Sequence, residues 1–510
     1  MSPAPLVFSR LGNRADFVTF YWKGGILSQH AFGAATLLDP KDPMGLRSSA
    51  PLLDGWLRDM ETDRSPFQIP GHKGRTDLTG AVVDGDIPVL PGNHPHRISP
   101  SLILEAEALA AKLWGADLCR FGVNGSSGSN HAAVMAVAGP GDKVIVSRTL
   151  HKSVLVGLVY AGVTPIWVRP EINPETGLPE YLPSSKLAEV LAKHPDAKAV
   201  LIGEPSYVGT MSNIPRLAKV THEYGIPLVV DAAWAAHYGF HPELPQHPLA
   251  EGADIVVTSA HKTLPSYSQA SFVLVNSKYV DLARFNKMFD STQTTSMSGR
   301  ILASIDAARA LLERHGEELM DPVIDATEQG RAALRAAGIG VIDGEYIDPL
   351  KLVILLPNTG ADGNKVEADL LAANIDVEMA NRDMIIPMIT FADTPDRIQD
   401  LIARIIESVN THRGEPREIA TSASFSIDPE VVVTPREAFF SSYEVVDSAD
   451  AVGRVSAEMI CPYPPGVPVL SPGERITQAA LDALFAARDS GVRIAFVADP
   501  TLQTLKVLPL

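Results

Sequence analysis

The sequence predicts an α/β fold, a mostly parallel sheet covered by helices on both faces. Three observations predict it. Seven short runs rich in Val and Ile recur between residues 117 and 277, and helical segments alternate with most of them. The runs are apolar throughout rather than alternating, as expected of strands buried on both faces. The chain has 510 residues, 45% hydrophobic and 20% charged, which is an ordinary globular balance and room for two to four domains.

The elements follow in order. Residues 51–63 read as a short amphipathic helix, and the Gly-, Pro- and His-rich stretch 64–98 as loop. S-L-I-L-E-A-E-A-L-A-A-K-L-W is a helix stopped by Gly115. D-L-C-R-F-G-V is a buried strand, N-G-S-S-G-S a turn, and N-H-A-A-V-M-A-V-A a helix ended by G-P-G-D. K-V-I-V-S-R is a strand, the segment from His151 a helix, and T-P-I-W-V a strand. A-V-L-I-G, I-P-L-V-V-D, A-D-I-V-V-T-S and S-F-V-L-V are further strands, with a helix in I-P-R-L-A-K-V-T-H-E-Y-G. A long helix covers 299–337. After residue 340, L-K-L-V-I-L-L-P, a helix over 364–374, I-D-V-E-M-A and the helix D-R-I-Q-D-L-I-A-R-I-I-E-S-V suggest a small α+β domain. A polar linker at 411–424 leads to a last region with the Pro-rich stretch C-P-Y-P-P-G-V-P-V-L-S-P-G-E. The expected division is 1–63, 64–338, 339–413 and 414–510. Residues 1–50 look irregular, and Met44 is an alternative start.

Charge and composition narrow the function. A formal net charge of −17 argues against non-specific nucleic-acid binding or an anionic membrane surface. Two distant cysteines, Cys119 and Cys461, imply neither a zinc site nor a disulfide framework, and fit a reducing, cytoplasmic compartment. No apolar run reaches about 18 residues, so no transmembrane helix is expected, and no secretory signal is evident.

In open parallel sheets, ligands bind at the carboxyl ends of strands. Asn124-Gly-Ser-Ser-Gly-Ser129 follows the first strand and opens a helix, where free amides and the hydroxyls of Ser126 and Ser127 can hold a phosphate. It has neither the P-loop nor the GxGxxG spacing. His151 follows K-V-I-V-S-R, Asp231 ends I-P-L-V-V-D, and Lys262 follows A-D-I-V-V-T-S-A-H. A buried carboxylate and a buried lysine both need a partner. A phosphate cradle, a flat ring partner, a carboxylate for a pyridinium nitrogen and a Schiff-base lysine together fit pyridoxal 5′-phosphate. His237 and His241 stand at i,i+4 spacing, but Gly239 and Pro242 oppose a helix there and no Glu lies between them, so no metal site is expected.

Six collinear stretches resemble the short-form ornithine/lysine/arginine decarboxylases of the aspartate-aminotransferase-like fold (fold type I). They are I-P-G-H-K-G at 69–74, F-G-V-N-G-S-S-G-S-N at 121–130, R-T-L-H-K-S-V at 148–154, D-A-A-W-A-A-H-Y-G-F-H-P at 231–242, S-A-H-K-T-L-P at 259–265 and P-Y-P-P-G-V-P at 462–468. The resemblance spans about 51–475. It implies a seven-stranded sheet and α-decarboxylation of arginine, lysine or ornithine, with a slight lean to arginine. It implies that Lys262 holds the cofactor, Asp231 pairs with its ring nitrogen, His151 stacks on the ring and Ala233 packs beneath it. Ser126, Ser127, Ser259 and His261 are implied phosphate ligands. Thr295 and Ser296 are implied to reach the site of a neighbouring chain in a homodimer or larger homo-oligomer.

Two departures bear on substrate choice and reaction type: Ala232, where many relatives have Glu, and Ser266-Tyr267-Ser268, where many have Ala-Leu-Thr. Glu378 and Glu474 are the candidates for the substrate's distal cation, and His151 and Lys262 for the proton donor to the α-carbon. No Arg stands out as a carboxylate clamp, which favours decarboxylation over transamination, lyase or oxidative-deaminase chemistry on the same cofactor. A catalytically inactive binding protein is opposed by the presence of both Lys262 and Asp231.

Overall fold

The structure, a computed structural model, describes residues 39–62, 67–90, 98–418, 427–463 and 467–510. Strands β1 (Leu118–Gly122), β2 (Lys143–Ser147), β3 (Thr164–Val168), β4 (Val200–Gly203), β5 (Leu228–Asp231), β6 (Ile255–Ser259) and β7 (Ser271–Val275) form one sheet in the order β1-β7-β6-β5-β4-β2-β3. β3, β2, β4, β5 and β6 are mutually parallel, while β7 runs antiparallel to both β1 and β6. The link from β6 to β7 holds only the turn Ala260–Thr263 and a short loop. That is too little chain for a crossover helix, so β7 must reverse. All of β5, β6 and β7 is buried, as their unbroken apolar sequences require.

The expected strands appear where the sequence places them, and the helix Pro100–Trp114 ends on Gly115 in the left-handed conformation. The segment 124–129 differs from expectation. It is not a separate turn, since the helix begins at Gly125 and runs to Val137. Gly and Ser are weak helix formers, but packing overrides propensity here: Gly128, Ser129 and Asn130 are buried. The neighbouring helix Lys152–Ala161 approaches so closely that a Cβ on Gly157 would lie 2.9 Å from Val134. The helices Ser184–Lys193 and Leu282–Thr292 have no counterpart in the sequence reading. The second carried a signal, an Asp281 side chain that caps the first turn and Phe285 and Phe289 on one face.

The helix Gly299–Ala336 packs against Pro51–Glu61 at one end and Pro395–Thr411 at the other. Residues 39–50 are less irregular than expected. Leu46 is buried, Arg47 donates to Asp54 and Glu61, and Arg314 donates to the Gly45 carbonyl. Residues 1–38 lie outside the described residues.

A four-stranded antiparallel sheet follows: β8 (Gly340–Val341), β9 (Ile354–Leu355), β10 (Met379–Ala380) and β11 (Met384–Ile386), in the order β10-β11-β9-β8. Of the run L-K-L-V-I-L-L-P only Ile354–Leu355 joins the ladder. Beyond residue 427, two two-stranded sheets and the helix Gln478–Asp489 enclose a separate core that includes Ile460, Leu470, Leu484 and Leu505. Among the described residues no helix is long and apolar enough to cross a membrane.

Candidate active site

The carboxyl ends of β2, β4, β5 and β6 meet at one cavity of about 250 Å³. Thr149 and His151 after β2, Gly203 at the end of β4 and Pro205 to Val208 beyond it, Asp231, Ala233 and Trp234 at β5, and Lys262 after β6 form one wall. Glu378, Met379 and Asn381 to Met384 form the opposite side, with Pro462, Tyr463, Val467 and several residues of 483–492 from the last region. Parallel strands thus deliver His151, Asp231 and Lys262 to a shared edge.

Asp231 is the last residue of β5 and is buried. Asn130 donates to its Oδ2 at 2.9 Å and to the Ser153 hydroxyl at 3.0 Å. Oδ1 is buried without a hydrogen-bond partner. Burial pushes the Asp231 carboxyl above its usual range, against the opposing pull of Lys262 and Asn130. A cation set against Oδ1 would reverse that shift.

Lys262 sits in the single helical turn after β6, with its ammonium 4.0 Å from the centre of the Trp234 ring. Burial lowers its pKa, opposed by Asp231 and Glu378. A lysine that loses its proton more readily is a better nucleophile toward a carbonyl. His151 caps the next helix and shares its Nδ1 with the Ser153 hydroxyl at 2.9 Å. Burial, then Lys262 and Lys152, press its pKa down to about 4, so the ring is neutral at pH 7.

The hydroxyls of Ser126 and Ser259 meet at 2.8 Å, at the first turn of the helix Gly125–Val137. His261 binds the Ala270 carbonyl through Nδ1 at 2.8 Å. Ser126, Ser127, Ser259 and His261 do not line the 250 Å³ cavity itself. Thr295 and Ser296 are exposed and away from the lining. Ala232 is buried behind the wall, and Ser266, Tyr267 and Ser268 also lie outside the lining.

The two substrate candidates separate. Glu378 lines the cavity and accepts from the Tyr207 hydroxyl at 3.2 Å. Glu474 does not line it. Glu474 is buried and takes both arms of Arg148, which also donates to the Val469 carbonyl. Its charge is therefore committed to joining the last region to β2. From the sequence an exposed Glu474 is the commoner expectation, because the partner that buries it lies 326 positions away.

Several residues that line the cavity, or in the case of Asn130 hold a residue that does, escaped the sequence reading. Trp234, Tyr207, Asn130 and Arg382 belong to the site, the last forked to Asp383 at 3.0 and 2.8 Å. Trp234 lay in the quoted D-A-A-W, three residues past Asp231, but nothing in the pattern aimed it at Lys262. His237 and His241 turn to different carboxylates, Asp348 at 3.6 Å and Asp321 at 2.8 Å.

Comparison with known proteins adds a family to this geometry. Residues 97–345 match the family described as Orn/Lys/Arg decarboxylase, major domain, and residues 418–493 its C-terminal domain. An arginine decarboxylase of Halalkalibacterium halodurans is 33% identical over 91% of this chain and 99% of its own. The chain belongs to the Orn/Lys/Arg decarboxylase family. An arginine decarboxylase of Bacillus subtilis is 32% identical over 90% of this chain and 97% of its own. Among solved structures, lysine decarboxylase A from Pseudomonas aeruginosa superposes with a TM-score of 0.75 at 21% identity, covering 90% of this chain and 80% of that one. A structure of SPT with PLP shares the fold at 16% identity, with a TM-score of 0.54 over 72% of this chain and 86% of that one. The decarboxylase family match on the C-terminal side continues to residue 493, past the limit of about 475 drawn from the motifs.

Proposed function

We propose that this decarboxylase uses pyridoxal 5′-phosphate to remove the α-carboxyl group of a basic amino acid, arginine first among arginine, lysine and ornithine. The observation that carries the cofactor is the pairing of a buried, unpartnered Asp231 Oδ1 with Lys262 in one cavity. A pyridinium nitrogen is the kind of donor that oxygen lacks, and an aldehyde is the kind of partner a readily deprotonated lysine takes. When bound, the cofactor supplies an electron sink for the pair released at the α-carbon.

The chain's own residues do the rest. Lys262 would hold the cofactor covalently until substrate arrives. Asp231, fixed by Asn130, would keep a proton on the ring nitrogen. His151, neutral and buried, would lie against the ring and Ala233 against its other face. Ser126, Ser127, Ser259 and His261 would hold the phosphate at the start of the helix Gly125–Val137, where unpaired amides favour an anion. Glu378 would pair with the substrate's distal cation, and its cavity position and freedom from an ion pair among the described residues support that role. Lys262, released by substrate, is the better proton donor to the α-carbon, because His151 with a pKa near 4 holds no ionisable proton at pH 7 to give. Thr295 and Ser296, exposed on one chain, are assigned to the site of a neighbouring chain in a homo-oligomer.

Arginine comes first because the relatives at 33% and 32% identity are arginine decarboxylases. The test incubates the purified protein with cofactor and each of the three amino acids, and reads CO₂ and amine by mass. Agmatine from arginine supports the reading. A keto acid in place of an amine overturns it.

A further inference from the structure

We propose that Lys351 is a positioning residue of this active site: its ammonium, held on the indole of Trp234, fixes the ring that walls the cavity beside Lys262. The proposal rests on reading that cavity as the active site, and is independent of which cofactor or amino acid occupies it.

Lys351 lies in the segment between β8 and β9, far in sequence from Trp234. It is 6% exposed, and its Nζ has no hydrogen-bond partner among the described residues. Instead it lies 3.8 Å from the centre of the Trp234 ring and 5.0 Å from that of Tyr207. The two rings meet edge to face at 5.7 Å, so they form an aromatic corner around one cation. Trp234 also carries the Lys262 ammonium at 4.0 Å from the same ring centre. Lys351 itself is absent from the lining of the 250 Å³ cavity. It lines a small adjoining cavity that shares Trp234, Pro205 and Ser206 with it. Lys351 therefore shares a packing contact with Lys262 through the indole, besides the charge repulsion between the two ammoniums.

The stem of Lys351 is tightly enclosed. Gly209 has φ +84°, and a Cβ there would come 2.6 Å from Lys351 Cγ. The loop after β4 closes on this side chain with no room to spare, so the lysine's path is built into the fold.

An ammonium buried without an ion-pair partner is costly and is seldom retained for stability. Every charged or titratable group facing it can be named. Asp348 and Glu378 favour its charge, while burial and Lys262 oppose it. His237 shares the small cavity and is engaged with Asp348 at 3.6 Å. Tyr207 offers its ring, and Arg331 donates to the Lys351 carbonyl at 3.0 Å. Burial dominates and brings the pKa down to about 8. The Lys351 charge on Trp234 is thus present below about pH 8 and lost above it.

The test uses the full chain and two readouts, the tryptophan fluorescence without substrate and the pH profile of kcat and KM. Wild type is expected to show a tryptophan step with a midpoint of about 8, absent in Trp234→Phe. Lys351→Arg, which stays charged throughout, keeps the low-pH signal and its kcat across that range without a step. Lys351→Met shows the high-pH signal at every pH and lowers kcat by roughly 2- to 30-fold, the span of a cation–π contact, with KM little changed. A step that persists unaltered in Lys351→Arg, or no step in wild type, overturns the proposal. Should Lys351→Met fail to fold, the arginine variant decides alone. If none of the three amino acids is decarboxylated, the proposed function fails, but the tryptophan step still decides the role of Lys351.

Discussion

The two sides of the cavity are built on different terms. On the sheet side, His151, Asp231 and Lys262 sit at or just beyond strand ends, and Asn130 and Ser153 fix the first two. On the other side stand short strands, a helix rich in alanine and the exposed Glu378. The first side has paid for its order by burying charge, which shifts the pKa of all three groups. The second side buries a carboxylate too, but Asp383 is neutralised by Arg382 and Arg417, and Glu378 is left exposed and outside any ion pair among the described residues. The lesson is a division of labour: the rigid side suits chemistry common to a family, and the looser side suits the choice of substrate.

Mutations sharpen that division. Lys262→Ala is expected to reduce amine formation to background and to remove any aldehyde-derived absorbance, since no other lysine lines the cavity among the described residues. Glu474→Gln breaks a buried fork with Arg148 and should cost about 3–5 kcal/mol of stability, read by urea denaturation, while leaving KM unchanged. A raised KM instead would return Glu474 to the substrate site. Asp231→Asn keeps the shape but removes the charge, and kcat is expected to fall by roughly 10²- to 10³-fold, as when a preorganised electrostatic partner is lost. Glu378→Gln tests the looser side: KM should rise by about tenfold, equivalent to ~1.4 kcal/mol, with kcat nearly unchanged.

The smallest effect is one of pH. His151 titrates at about 4 in the folded chain, below its ordinary value of 6.5. Between those values the unfolded chain binds more protons, so this residue's contribution to stability is lost as pH falls from about 6.5 toward 4. His151→Gln should flatten that part of the melting-temperature profile. An unchanged profile would place the titration elsewhere.

Much of the rigid side was legible in the sequence because each residue closes an unbroken apolar run. Asp231 ends L-V-V-D and Lys262 follows I-V-V-T-S within three residues. Local pattern is enough to find such residues, because a strand's direction carries its last side chain to the sheet edge. The helix at 125–129 was not legible, since Gly and Ser favour a turn until neighbouring helices bury them. Nor was the antiparallel β7, which depends on the length of the link before it.

The sequence by itself therefore determined the layered α/β class, the strand-end set His151, Asp231 and Lys262, and their order along the chain. The tertiary structure alone decided which distant groups meet them. It brought Lys351 and Lys262 onto one indole, set Asn130 on Asp231, and turned Glu474 away to Arg148. The physical reason is range. Hydrophobic periodicity is a short-range signal and survives in a single sequence. The partner of a buried charge is set by which chain segments pack together, and for Arg148 and Glu474 those segments are joined only when the last region closes on the sheet.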